Sequence, residues 1–178
     1  MNTVTRDPNK RNNQNQRRPR SRQGDRADKE FDQKMIEVAR VTRVMAGGKR
    51  MSFRACVVIG DHKGRVGMGL RKGADVSIAV NKAVAAAKKQ LVRVKIINDT
   101  IPHRVEQKFG GARVMLKPAP KGTGIIAGGP VRAVLELAGV KNVVSKMLGS
   151  KSKANNVCAT LIALENLKDI KQIKNLRA

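Results

Sequence analysis

Between residues 35 and 91 the apolar positions change their spacing, from every second residue to every third or fourth, and that switch restricts the folds open to the chain. In MSFRACVVIG, Phe53, Ala55, Val57 and Ile59 share one face at period two, as a strand requires. MIEVARVTRVM precedes it across AGGKR, where Gly47-Gly48 supplies the positive backbone angles of a tight hairpin. DHKG is a second turn. RVGMGLRK is a third strand, with Val66, Met68 and Leu70 on one side and Arg65, Gly67, Gly69 and Arg71 on the other. Asp75 then opens a helix in which Val76, Val80, Ala83, Val84, Ala87 and Leu91 recur at helical spacing, and Lys88 and Lys89 suit the negative end of its dipole. Three antiparallel strands backed by a helix make one module, residues 31–97.

The stretch VRVKIINDTIPH reads as a strand followed by a turn and marks a boundary, so a second module occupies 98–168. RVEQK and ARVMLKP are strand candidates joined through Phe109-Gly110-Gly111. PVRAVLELAG is a short helix stopped by Gly139, KNVVSKML another strand, and SKANNVCATLIALENL a helix with Ser152 as cap. The fold class expected is α+β. Residues 1–26 carry eight basic and two acidic residues (8 − 2 = +6) and almost nothing apolar, so residues 1–30 are expected to be a disordered basic arm. Residues 169–178 form a polar tail expected to fray.

Lys and Arg number 38 against 13 Asp and Glu, a formal charge of +25. Such an excess favours a polyanionic partner, because phosphate contacts release condensed counterions; nucleic acid is the default. A membrane surface would call for aromatic anchors on an apolar helix face, but the chain has no Trp, no Tyr and three Phe. No apolar run approaches the ~20 residues needed to span a bilayer or resembles a secretory signal, so a cytoplasmic location is expected. Cys56 and Cys158 lie 158 − 56 = 102 positions apart, and with His62 and His103 they match no zinc-ligand spacing. No metal or cofactor is expected.

The segment KGTGIIAGGPVRAV, residues 121–134, tests the enzyme readings. GIIAGG fits the first part of a phosphate loop, but Pro130 and Val131 follow where Lys and a hydroxyl residue are required. GTGIIA fits a dinucleotide fingerprint, yet MLKPAPK before it is broken by two prolines and no acid lies at 141–148 for a ribose. A structural joint fits better: Gly128 and Gly129 let the chain turn and Pro130 takes the first helical position. Free N–H groups at that helix start, beside Lys121 and Arg132, can hold an RNA phosphate, which makes Lys121 an RNA-binding candidate, or a neighbouring protein's carboxylate. Cys158, beside Val157 and Leu161 on a helix, reads as core, and the scattered carboxylates form no acid/base pair.

Binding chemistry concentrates on the hairpin. Lys49 and Arg50 project from the Gly47-Gly48 turn, with Arg40, Arg43 and Arg54 on the strands behind; the alternative is a solvated charged hairpin. The third strand is a second candidate, since Gly67 and Gly69 permit close backbone approach while Arg65, Arg71 and Lys72 reach phosphates; the alternative is a strand bulge or tight packing. Three scattered Phe cannot build a base-stacking platform, which favours folded, double-helical RNA read by shape and phosphate.

VIGDHKGRVGMGLRKG, GTGIIAGGPVRAVLELAGVKNV and SKMLGSKSKANNV resemble the bacterial small-subunit ribosomal protein five family over about residues 34–167. The resemblance implies a first module akin to double-stranded RNA-binding domains and a C-terminal β-α-β-α module. It implies a structural, non-enzymatic constituent of the small ribosomal subunit, supporting assembly, mRNA entrance and decoding accuracy. By the same resemblance the hairpin MAGGKR reaches small-subunit rRNA, with Ala46 where the family commonly has lysine. Gly122, Thr123, Gly124 and Arg132 face ribosomal protein four, other parts of the second module approach protein eight, and mRNA passes nearby. The runner-up is a free RNA chaperone or annealing protein.

Overall fold

The computed structural model describes residues 30–168; the basic arm and the polar tail expected from sequence lie outside the described residues. Strand β1 (Asp32–Met45) and β2 (Gly48–Gly60) form a long antiparallel hairpin, followed by β3 (Arg65–Gly73), helix α1 (Val76–Lys88) and a short β4 (Leu91–Arg93). The first sheet runs β1-β2-β3-β4, all antiparallel. The expected three-stranded sheet gains a fourth: the strand read at the boundary joins it as an edge, starting at Leu91, which spacing had given to the helix, and pairing Val92 with Val66.

The second module is β5 (Val105–Phe109), β6 (Ala112–Pro118), β7 (Ile125–Ile126), α2 (Gly129–Ala138), β8 (Val143–Gly149) and α3 (Lys153–Glu165), with sheet order β5-β6-β8-β7. β7 went unread because two residues cannot display a period. It lies parallel to β8, Ile125 opposite Val143, as a strand–helix–strand crossover through α2 demands. Pro130 sits in the first turn of α2 and Gly139 ends it in the left-handed conformation (φ 86°), as expected. Asp75 and Ser152 occupy the N-cap positions, but neither side chain caps. Before α3 buried Asn156 ties the entering chain to the helix instead, its Nδ2 donating to the carbonyls of Ser150 (2.9 Å) and Ser152 (2.8 Å).

Two cores hold these layers. In the smaller one, Ala55, Val57 and Ile59 of β2 meet Ala79, Ala83 and Ala87, which recur every four residues along α1. Val80, Val84 and Leu91, half-buried, pack against the same core, so the mixed Val/Ala face read from spacing is realised except at Val76, which is exposed. The larger core joins the modules: Val58 and Val66 from the first sheet are packed with Leu135, Leu164 and Leu116 from the second module. The first sheet is therefore covered on both faces, by α1 on one side and by α2 and α3 on the other. Gly60 is part of that seam, since a Cβ there would collide with the carbonyl oxygen of Leu137. Polar contacts cross it as well, with the backbone N–H of His62 donating to the Leu137 carbonyl (3.0 Å) and that of Gly64 to Ala138 (3.0 Å).

Candidate nucleic-acid interface

Beyond the row Arg40–Phe53–Gly73, β3 ends, and β1 and β2 continue as a two-stranded ribbon to the Gly47 turn (φ 84°). Residues past this row have lost both the helix and the second module as cover, and Arg43, Lys49 and Arg50 are exposed. The register fixes which cations share a face. Arg43 stands directly opposite Arg50, and Arg54 directly opposite Lys72, all on the side away from α1. Arg40, Lys49 and Arg71 point to the other side. Like charges opposed across a ladder cost stability unless an anion lies between them. Among the described residues none of these seven cations has an ion-pair partner. Arg43, Arg50 and Lys72 line one open groove of about 490 Å³ with Thr42, Ser52, Gly73 and Ala74, where β3 ends beside the ribbon.

Arg65, expected to reach phosphates, is also engaged within the protein. Its Nε donates to Asp61 Oδ2 (2.6 Å), its guanidinium to Glu30 Oε1 (3.0 Å), and its plane lies 4.9 Å from the Phe31 ring centre. It closes the turn between β2 and β3, which is a use for the charge inside the protein. The glycines beside it are also structural. A Cβ on Gly69 would collide with the Ala83 carbonyl and one on Gly67 would lie 2.7 Å from the Ala87 carbonyl, so of the two sequence readings of this strand, tight packing is the one realised. Arg71 and Lys72 remain exposed at its end.

The joint at 121–132 is a separate surface. Gly122 and Gly124 adopt left-handed angles (φ 94° and 72°) with open space around them. Asn142 organises the loop: its Oδ1 accepts from the N–H groups of Gly122 (3.1 Å) and Gly124 (3.2 Å), and the residue is only 7% exposed. With those two donors consumed by a side chain, the loop lacks the array of free N–H groups that cradles a phosphate chain. Lys121 and Arg132 are exposed at its two ends. Arg132 Nε donates to Glu136 Oε1 (2.8 Å), and Lys34 of β1 donates to Glu136 Oε2 (2.8 Å), so one carboxylate, held below the usual range chiefly by the hydrogen bonds from Lys34 and Arg132, ties the joint to the hairpin strand.

Sequence reasoning missed Asn142 and Glu136, because partners 18 and 102 residues away leave no local pattern. It also passed over Val44, Met45 and Met51, apolar residues exposed at the ribbon tip, although the strand pattern continuing past any possible core could have flagged them. Burial pushes the Cys56 thiol up to about 11 and also raises that of Cys158, whose Sγ lies 3.5 Å from Met68 Sδ, as expected of packing cysteines. Among the described residues no His, Cys, Asp or Glu cluster could hold a metal, and no helix is long and apolar enough to cross a membrane.

Residues 31–95 match the family described as ribosomal protein S5, N-terminal domain, and residues 107–177 match ribosomal protein S5, C-terminal domain. Curated relatives carry the name small ribosomal subunit protein uS5. The one from Thermotoga maritima is 47% identical over 148 residues, 83% of each chain. That from Prochlorococcus marinus is 46% identical over 94% of this chain and 84% of its own. The Mycoplasmopsis agalactiae protein is 51% identical over 85% of this chain and 66% of its own.

Proposed function

The chain belongs to the ribosomal protein S5 family, and from that premise we propose that it clamps small-subunit rRNA with the β1–β2 ribbon while the 122–124 joint docks a neighbouring protein. It is a structural constituent of the small ribosomal subunit in the cytoplasmic ribosome, and it is not an enzyme. The observation that carries the clamp is the opposition of Arg43 to Arg50 and of Arg54 to Lys72 on a ribbon that outruns its own core. Flat sheets can carry a charge anywhere; a projecting ribbon delivers it into a groove between RNA helices. With no aromatic platform, the contacts are to phosphate and ribose, which position without reading bases.

The joint, Gly122 to Gly124 with Arg132, is the surface for ribosomal protein four, Lys121 beside it reaches an rRNA phosphate, and other parts of the second module meet protein eight. Ion-pairing of Arg132 and Lys34 to the same Glu136 supports a mechanical link between protein contact and rRNA contact. Such a link suits a role at the channel through which mRNA enters and in decoding accuracy. The test is charge removal at Lys49 and Arg50 in the full chain, followed by binding to small-subunit rRNA across a salt series. The log–log salt slope should fall by about one unit per lost phosphate contact, about two in total. An unchanged slope removes the ribbon from the interface. A free RNA chaperone would share the charge without the docking joint, and it would be stripped from small subunits by a high-salt wash that leaves an integral component in place.

A further inference from the structure

The second sheet has one face against α2 and α3 and the other open. Ala112, Val114 and Leu116 of β6 and Val143 and Ser145 of β8 are buried on the inner side, so the alternate residues face out. The pairing places them in rows. Lys108 stands opposite Arg113 and Arg113 opposite Leu148; Glu106 opposite Met115 and Met115 opposite Lys146; Lys117 opposite Val144. Four cations therefore surround half-buried Met115 and Val144, with exposed Leu148 and Ile126 on the same face. The one carboxylate on the face is occupied already, with Glu106 2.6 Å from Arg113 and 3.9 Å from Arg104. Among the described residues no carboxylate lies within ion-pair reach of Lys108, Lys117 or Lys146.

We propose that this open face of the second sheet is a second RNA-backbone surface, separate from the ribbon and built from Lys108, Arg113, Lys117 and Lys146. It rests on the reading of the chain as an rRNA-binding protein and extends that reading to a face of the second module, where the sequence offered RNA only the joint at Lys121. Arg113 and Lys117 are four residues apart on one strand, about 13 Å, so the face reaches along a polyanion instead of holding one small ion. Its composition decides between RNA and protein. Protein interfaces are depleted in lysine, whereas nucleic-acid interfaces are strongly positive, and three of the four cations here are lysines. No aromatic ring faces outward with them, so the partner is held by phosphate and ribose, as a duplex is, and not by stacked single-stranded bases.

The experiment replaces Lys108, Lys117 and Lys146 together by Gln in the full chain and, in a second protein, Lys49 and Arg50 by Gln. Both are titrated with small-subunit rRNA from low to high salt, with thermal unfolding as a check that the exposed substitutions leave the fold intact. The sheet variant should lose about two to three units of salt slope, and combining the sets should add the losses. If the ribbon variant shifts and the sheet variant does not, the sheet surface is refuted while the ribbon stands; if neither shifts, both fall. If the sheet variant keeps its slope while Met115→Glu blocks incorporation into small subunits, the face is a protein dock and the proposal is overturned.

Discussion

Asp61 shows how much one side chain organises. Its carboxylate accepts from the N–H of Lys63 (2.8 Å), the N–H of Arg65 (2.9 Å) and the Nε of Arg65 (2.6 Å), tying the turn that reverses β2 into β3. Burial acts to raise its pKa, but the hydrogen bonds and charge of Arg65 and the Lys63 N–H outweigh that and hold it at about 2, below the usual 3.8. A depressed carboxylate stabilises the fold above its unfolded pKa and ceases to do so as pH falls through the folded one. Asp61→Asn should therefore cost about 1.5 kcal/mol near neutral pH, the low end for charge-assisted hydrogen bonds because Arg65 is half exposed. Denaturant melts should show the gap between the two proteins narrowing as pH drops from 4 toward 2, and a gap that stays constant would mean that the charge is not what holds the turn. DHKG was legible as a turn from its residue types, but that Asp61 would be its acceptor required the coordinates of Arg65.

At the level of elements, the same glycine-rich composition serves two ends that spacing could not tell apart. On β3, the glycines make room for α1; at 122–124, they bend a loop held by Asn142. Asn142→Ala should release both loop N–H groups while leaving the ribbon untouched. Expected outcomes are unchanged affinity for isolated rRNA and reduced co-assembly with the docking partner, measured by reconstitution of small-subunit particles; an equal loss of both would show that joint and ribbon do not divide the labour. The β1–β2 hairpin itself was legible because alternation and a Gly-Gly turn are local signals. Which cations share a face followed only from the β1–β2–β3 register, and the engagement of Arg65 by Glu30, Asp61 and Phe31 only from the tertiary structure.

For the whole molecule, the family matches divide near residues 95–107, yet the larger core crosses that line. Val58 and Val66 lie among Leu135, Leu164 and other second-module residues and are 0% exposed. Cutting the chain at residue 97 would expose them, with half-buried Met68, at about 1.5 kcal/mol or more for each large apolar side chain uncovered. The fragment 31–97 should therefore melt well below the full chain, and the full chain should unfold in one calorimetric transition whose van't Hoff and calorimetric enthalpies agree. Two separated transitions would show that the modules are independent. Alternation along 53–59, the helical repeats and the capping glycine at 139 are properties of neighbouring residues, so the sequence by itself determined the order of strands and helices apart from the two-residue β7, the basic character and the ribbon. Both faces of β2 being buried, the glycines of β3 lying under a helix, the carboxylate shared by Lys34 and Arg132, and the open cationic face of the second sheet were decided only by tertiary structure. Each depends on which surface a distant segment covers, and no local period encodes that.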